Sequence, residues 1–219
     1  MFNRQTLFAS LTLAFLALVA AAPTYAGVIQ LTTPSQLNSG DTTVTYPASL
    51  GNNPASPLSI TAGGNTLTFS LTGSNRNFQR FVSDGVTYDF PAGTALLDTL
   101  GNAPLTINFS AGILELGFRA QNNFPGTDTF NFTAFNGANA LGIFSVTSAN
   151  GLASFIGARA TGTDVITRIV LSSLSSSGIN NDFSFGPVTF AAAVPEPATM
   201  TLLCIGLAGA ALKLRRRRA

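Results

Sequence analysis

Histidine and tryptophan are absent from this 219-residue sequence, and cysteine occurs only once, at Cys204. Without histidine, the chain cannot assemble a Ser-His-Asp or Cys-His catalytic triad, nor a zinc site of the usual Cys and His kind. A single cysteine cannot form a disulfide within the chain. The glycine-rich motifs that bind phosphates or dinucleotides are absent as well. These absences lead us to expect that the protein is not an enzyme.

One catalytic alternative remains. A glycosidase needs two opposed carboxylates, and Glu115 together with one of the aspartates would supply them. Glu115 lies between Leu114 and Leu116 in an apparent strand. We therefore expect Glu115 to lie on the outward side of that strand, in contact with solvent.

Charged residues make up only 9% of the chain, and lysine occurs only at Lys213. Between Gly27 and Val194, five arginines face eight carboxylates, so this body of the chain has a net charge of −3. We expect no nucleic-acid partner, because the body has no basic stripe. The body is long enough to form one domain with its own core. Its cations are Arg76, Arg80, Arg119, Arg159 and Arg168.

Short runs of alternating apolar and polar residues fill the body, as in residues 66–72, and this pattern is typical of half-buried strands. Glycine, asparagine, serine and proline separate the runs, and Asp84-Gly85 predicts a hairpin turn. We predict an all-β domain over residues 27–190, an antiparallel β-sandwich of the jelly-roll or lectin-like kind. The predicted strands include residues 28–32, 66–72, 78–82, 86–90, 105–109, 113–118, 143–147, 165–171 and 183–190, and the predicted loops are residues 47–57 and 171–181.

The amino-terminal end has the three regions of a secretory signal peptide. Arg4 gives a positive start, residues 7–22 are apolar, and Thr24-Tyr25-Ala26 ends with a small residue before Gly27. We predict a signal peptide over residues 1–26, cleavage between Ala26 and Gly27, and export through the Sec translocon. An uncleaved amino-terminal anchor is the alternative.

The carboxyl-terminal end also has three parts. Residues 191–197 form a linker that ends in Val194-Pro195-Glu196-Pro197, which its two prolines keep extended. Residues 198–214 predict a transmembrane helix, and residues 215–219 predict a basic cytoplasmic tail. The basic residues that act as the stop-transfer signal are Lys213, Arg215, Arg216, Arg217 and Arg218.

This tail resembles the PEP-CTERM sorting signal of Gram-negative bacteria. The resemblance rests on Pro195-Glu196-Pro197, on the single span and on the terminal arginines. It implies that an exosortase is the partner that reads the motif. It also implies an inner-membrane intermediate, followed by delivery to the cell surface or the extracellular matrix. An ordinary carboxyl-terminal membrane anchor is the alternative.

Oxygen-bearing side chains at the ends of predicted strands raise the question of calcium. The candidate ligands are Asp128, Asp164, Asn181 and Asp182. The favoured interpretation is that these residues cap turns, because the spacing of a calcium-binding loop is missing. We therefore expect no cofactor, with calcium as the one alternative.

The expected molecular role is that of a structural or adhesive component of the cell surface or matrix. A carbohydrate-binding module for exopolysaccharide is the alternative. Only Tyr46 and Tyr88 could offer amphipathic rings within the body, and the phenylalanines are expected to point inward. Arg76, Arg80 and Arg119 are candidate contacts for an acidic polysaccharide.

Overall fold

A computed structural model describes residues 27–72, 76–101, 103–124, 126–149 and 151–193. The predicted signal peptide, the Val194-Pro195-Glu196-Pro197 motif, the predicted span over residues 198–214 and the basic tail lie outside these residues. Within the described part of the chain, no helix is long and apolar enough to cross a membrane.

The described residues form thirteen β-strands and two single-turn 3-10 helices, Pro34–Gln36 and Ala48–Leu50. Every strand pairing is antiparallel. The strands are β1 Gly27–Leu31, β2 Thr42–Val44, β3 Leu58–Ala62, β4 Asn65–Leu71, β5 Gln79–Val82, β6 Ala95–Asp98, β7 Leu105–Asn122, β8 Asp128–Asn136, β9 Asn139–Ser148, β10 Ser154–Thr161, β11 Ile166–Ser175, β12 Phe183–Phe185 and β13 Val188–Ala192.

Strand β7 belongs to both layers of a sandwich. Its first half pairs with β4 and β11, which gives a first layer in the order β3-β4-β7-β11-β8-β9. Its second half pairs with β10 on one side and with β12 and then β13 on the other. The second layer is completed by β1 beside β10, by β6 and β5 beside β12, and by β2 beside β13.

The change of layer within β7 follows from a local break in its alternation. Ile107 and Phe109 point into the core before the break, whereas Leu116 and Phe118 do so after it, so the inward positions change from odd to even numbers. A register shift opposite β13 falls at Leu114, which is exposed. An extra residue of this kind bends a strand and increases its twist. Two separately predicted strands, residues 105–109 and 113–118, are therefore one bent strand.

The core lies between the two layers and is rich in phenylalanine. Phe185 of β12 is fully buried, and each of its ring neighbours has its centroid within 6.3 Å. Burying one such ring stabilises a fold by about 1.5–3 kcal/mol. The neighbouring rings are Tyr46, Phe69, Phe78, Phe118 and Phe183. The prediction of an all-β antiparallel sandwich is confirmed.

Two predicted strands differ in the structure. Residues 86–90 form no strand, because the Asp84 carboxylate accepts 2.8 Å hydrogen bonds from the Val86 and Thr87 backbone N–H groups and curls the chain. β5 pairs instead with β6, across the loop of residues 83–94. The predicted strand 183–190 is divided into β12 and β13 at Gly186-Pro187, where proline has no N–H for the ladder.

The ends of two other strands also differ from prediction. β11 continues to Ser175, into the segment that was predicted as a serine-rich loop. β13 continues to Ala192, two residues past the predicted end of the domain. In both cases the additional residues pair with a neighbouring strand, β8 and β7 respectively.

Candidate functional site

A cleft opens on the outer face of the second layer, and its floor is built from outward-pointing positions of three strands. Gly117 of β7 lies between Gly157 of β10 and Thr189 of β13. The ring of Phe155 lies over both glycines: a Cβ atom on Gly117 would be 2.4 Å from Phe155 Cζ. Glycine is therefore needed at position 117 to accommodate this ring.

Two segments form the walls of the cleft. The first wall, residues 32–41 between β1 and β2, contributes Pro34 and Leu37. The second wall, residues 83–94 between β5 and β6, contributes Phe90, Pro91 and Thr94. The cavity between them measures about 210 Å³, which is smaller than a pocket for a drug-sized ligand. The remaining lining residues are Gly117, Phe118, Arg119, Phe155, Gly186, Pro187 and Thr189.

Arg119 lies at the rim and ties the second wall to the floor. Its Nη2 donates to Asp89 Oδ2 at 2.8 Å and to the Ala153 carbonyl at 3.0 Å. The Ala153 N–H also donates to Asp89 Oδ2, at 3.1 Å. The side chains of Arg119 and Asp89 are 36% and 41% exposed, so solvent screens this ion pair. Arg119 was predicted as a polysaccharide contact, and it reaches the cleft while engaged with Asp89.

Glu115 ties the first wall to the floor. Its Oε2 accepts from Arg159 Nε at 2.6 Å, and its Oε1 accepts from the Asn38 N–H at 3.2 Å and from Asn38 Nδ2. Arg159 also donates to the Gln36 carbonyl. The prediction that Glu115 meets solvent is wrong: its side chain points outward from β7, but the first wall covers it and leaves it 1% exposed.

Asp41 ends the first wall close to Glu115. Burial raises the pKa of Asp41, and the neighbouring Glu115 carboxylate raises it further. Asp41 Oδ2 is buried without a hydrogen-bond partner among the described residues. These two carboxylates are the nearest match to the pair that the glycosidase alternative requires, but Arg159 and Asn38 already occupy both oxygens of Glu115.

The four candidate calcium ligands fall into three places. Asp182 accepts from Asn123 Nδ2 at 2.5 Å, and the side-chain oxygen of the preceding Asn181 accepts from the Ser173 N–H at 2.9 Å. Asp128 accepts from Asn122 Nδ2 at 2.9 Å. Asp164 lies in the turn between β10 and β11. Within the part of the chain that the structure describes, no three or more Asp, Glu, Cys or His side chains come close enough to hold a metal ion.

Asp98 is a buried carboxylate that sequence reasoning missed. Its Oδ2 accepts from Asn123 Nδ2 at 2.7 Å and from Ser184 Oγ at 3.1 Å, and its Oδ1 accepts from the Leu100 N–H at 2.7 Å. Burial raises the pKa of Asp98, and the charge of Asp182 adds to that rise. The pattern of short polar side chains around Asp98 is that of a capped loop, which no sequence motif signals.

The remaining predicted contacts for sugars are Tyr46, which is buried, and Tyr88, Arg76 and Arg80, which are partly exposed and contact other residues of the protein. Tyr46 is buried, which raises its pKa well above the ordinary value, and its hydroxyl donates to the Gly186 carbonyl at 2.9 Å. Tyr88 packs on Phe81, with ring centroids 4.7 Å apart. Arg80 Nε donates to the Tyr46 carbonyl at 2.8 Å, and Arg76 donates to the Gly101 carbonyl at 3.2 Å. Tyr46 is therefore unavailable to a ligand, whereas Tyr88 is partly exposed beside Phe81.

Several solved structures match parts of the chain at low TM-scores. CsCBM6-3 from Clostridium stercorarium, in complex with cellobiose, is 18% identical over 57% of this chain and 87% of its own, with a TM-score of 0.33. The carbohydrate-binding module CBM6cm-2 from Cellvibrio mixtus lichenase 5A, in complex with cellotriose, is 11% identical over 57% and 91%, with a TM-score of 0.31. A family 29 carbohydrate-binding module is 13% identical over 80% and 95%, with a TM-score of 0.26. TM-scores this low carry no argument about function.

No curated protein matches the chain. One family model does match: the PEP-CTERM protein-sorting motif, over residues 193–218. The match includes the Val194-Pro195-Glu196-Pro197 motif and all the predicted stop-transfer residues. It begins immediately after β13, which ends at Ala192. The chain therefore carries a PEP-CTERM sorting motif, which follows directly after the last strand of its β-sandwich.

Proposed function

We propose that the protein is a structural or adhesive component of the cell surface or extracellular matrix. An exosortase would sort it there after export by the Sec translocon. The observation that carries this proposal is the PEP-CTERM motif at residues 193–218. The body fits the same role, because a sandwich with a phenylalanine core needs neither a disulfide nor a metal to fold in an extracellular setting.

The sequence of the tail supports recognition by an exosortase, followed by release of the protein from the membrane. Pro195 and Pro197 keep the chain extended around Glu196, so that the chain can enter an active site at the membrane surface. The arginines after the span would hold the precursor in the membrane until cleavage, since moving several cations across a bilayer is costly. Glu196 is the only charged residue between Asp182 and Lys213, so it is the natural recognition element.

The test is a Glu196→Ala substitution in exosortase-positive cells. We expect Glu196→Ala to leave an uncut precursor in the membrane fraction, whereas the wild type yields a shorter product at the surface. Thr199→Ala, three residues further on, is the matched control and should be processed normally. If Glu196→Ala is cut and delivered like the wild type, Glu196 is not the recognition element.

We also propose that the protein is not an enzyme. The absence of histidine from the chain supports this, as does the engagement of Glu115 by Arg159 and Asn38. Activity assays on purified full chain with a panel of glycosides should show no turnover above buffer. A Glu115-dependent activity would overturn this proposal.

A second candidate function is favoured by the cleft. The Phe155 ring offers an apolar surface beside the exposed Arg119–Asp89 pair, and sugars combine an apolar face with hydroxyls that bond to charged groups. We would expect Arg119→Gln to weaken retention of the full chain on the producer's own exopolysaccharide by severalfold. Arg76→Gln, which removes a cation outside the cleft, should leave retention unchanged.

A further inference from the structure

The outer face of the first layer is uncovered, and most of its side chains carry hydroxyls or amides, with Phe135, Ile143, Val170 and Leu174 as the apolar exceptions. We call it the hydroxyl face; it comprises the outward side chains of β3, β4, the first half of β7, β11, β8 and β9. Strand register places Ser59, Thr68, Asn108, Arg168 and Phe135 in one row across five strands. Within these described strands, the outward positions include no carboxylate, and Arg168 is their only charge.

Arg168 differs from the other arginines of the body. Arg76, Arg80, Arg119 and Arg159 each donate to a carbonyl or a carboxylate. The Arg168 side chain makes no hydrogen bond or ion pair with any residue that the structure describes, and its Nε is buried without a partner. Its guanidinium carbon lies 4.1 Å from the centre of the Phe135 ring, which holds the group in place.

The Arg168 guanidinium has no hydrogen-bond acceptor among the residues that the structure describes. A guanidinium carries five donors in a planar fork, and none of those of Arg168 is bonded to a residue that the structure describes. Planar carboxylates match that fork with two parallel hydrogen bonds. Because neighbouring strands lie about 4.8 Å apart, the row continues from Arg168 to Asn108 and Thr68 with a polar group at each step.

We propose that Arg168 and Phe135 form a subsite for a carboxylate-bearing sugar of an acidic polysaccharide that lies along this row of the hydroxyl face. The carboxylate would accept from the terminal Nη1 and Nη2 groups of Arg168 rather than from its buried Nε, and the hydroxyls of adjoining sugars would bond to Asn108 and Thr68. This inference rests on the proposed function, because a surface protein is one that meets polysaccharides. It adds the chemistry of the ligand, and it places the ligand on the layer opposite the cleft.

Charge favours a polysaccharide over a second copy of the chain. In a two-fold pairing of hydroxyl faces, the same surface would meet itself, so Arg168 of each copy would face a surface without carboxylates. The face itself supplies no carboxylate to either partner within the described strands. An acidic polymer supplies the missing acceptor directly.

The experiment uses full chain in detergent and measures binding to immobilised polygalacturonate and to a neutral galactan by interferometry. All samples carry Arg215→Gln, Arg216→Gln, Arg217→Gln and Arg218→Gln, so that the tail does not bind the polyanion. We expect Arg168→Gln to raise the Kd for polygalacturonate about tenfold, which corresponds to about 1.4 kcal/mol. Arg168→Lys should raise the Kd severalfold, because it keeps the charge but loses the fork. Binding to the galactan should be weak and unaffected.

One control separates this site from general charge. Arg76→Gln, which removes a cation outside both the hydroxyl face and the cleft, should change the Kd for polygalacturonate by less than twofold. The proposal is overturned if Arg168→Gln binds like its parent, if Arg76→Gln weakens binding equally, or if the galactan binds as tightly as the uronate polymer. It is also overturned if the parent sediments as a dimer that Arg168→Gln dissociates. Failure here leaves the Glu196→Ala processing result untouched, so the two proposals fail separately.

Discussion

The strands of both layers alternate inward and outward side chains, but connecting segments cover the outer face of only one layer. On the first layer, the outward positions stay uncovered and carry mostly hydroxyls and amides, with a few apolar side chains. Arg168 is the only charge among these outward positions of the described strands. On the second layer, residues 32–41 and 83–94 fold over the strands. There the outward positions include glycines and the ion pair of Glu115 with Arg159. An outward position thus becomes an interior one when a connecting segment crosses it.

Whether connecting segments cover a face determines which hydrogen-bond partners its polar side chains need. A covered carboxylate needs partners, and Glu115 has hydrogen bonds from Arg159 and Asn38. On an uncovered face, polar side chains bond to one another or to water, as Ser59 and Thr68 do at 3.0 Å. Arg168 is the exception, with a buried and unpaired Nε on the open face. Glu115 and its partners therefore stabilise the fold, whereas we expect Arg168 to be available to a ligand.

The largest expected effect comes from removing the cation of the covered face. Arg159→Met leaves the carboxylate of Glu115, only 1% exposed, without its ion-pair partner. We expect the free energy of unfolding to fall by about 3 kcal/mol. Arg168→Met, on the open face, removes no hydrogen bond and should change stability by less than about 0.5 kcal/mol. Denaturant unfolding of both variants measures the difference, and equal losses would contradict the comparison.

A smaller effect is expected at the floor of the cleft. Gly117→Ala would place its Cβ 2.4 Å from Phe155 Cζ and 3.0 Å from Leu37 Cδ1. Displacing the ring or the first wall should cost about 2 kcal/mol. Thr68→Ala on the open face creates no clash and removes only the exposed hydrogen bond between the Thr68 and Ser59 hydroxyls, so it serves as the control with a change of less than about 1 kcal/mol. Thermal unfolding followed by circular dichroism compares the two.

A smaller, pH-dependent effect on stability is expected from Asp84 in the second wall. Hydrogen bonds from the Val86 and Thr87 N–H groups lower the pKa of the exposed Asp84 carboxyl to about 2. A carboxyl with a lowered pKa in the folded state stabilises the fold above its unfolded pKa, and that contribution disappears as the pH falls towards 2. Asp84→Ala should therefore be less stable than the wild type at pH 5, and the gap should close between about pH 4 and pH 2. A gap that is constant with pH would contradict this.

The smallest expected effect is that of a chelator. Because the core consists of apolar side chains and the described acidic residues form no metal-binding group, EDTA should leave the unfolding midpoint unchanged. Calcium added back should not change it either. A midpoint that drops in EDTA and recovers with calcium would revive Asp128, Asp164, Asn181 and Asp182 as ligands.

Much of the fold could be predicted from the sequence, because alternation reports which residues of a strand share a face. Residues 66–72 were predicted as a strand, and β4 covers Asn65–Leu71. Short strands were missed: β2 and β6 have three and four residues, too few to show a period of two. Residues 86–90 look like a strand, but the side chain of Asp84 provides alternative hydrogen bonds for that backbone.

The candidate site was less predictable than the fold. Arg119 and Glu115 were noticed as residue types, but their partners lie far away in sequence: Asp89 for the first and Arg159 for the second. Sequence alternation predicts that Glu115 points outward and cannot show that residues 32–41 cover it. The unpaired state of Arg168 is equally invisible in the sequence, since it depends on which side chains fail to reach it.

The most direct test of the central claim is the intact mass of the protein recovered from the surface of exosortase-positive cells. The account predicts a chain that begins at Gly27 and lacks Arg215 to Arg218, because the signal peptide and the basic end of the sorting motif are both removed. A surface protein whose mass still includes all four terminal arginines would contradict the account. The tail would then be a membrane anchor rather than a sorting signal.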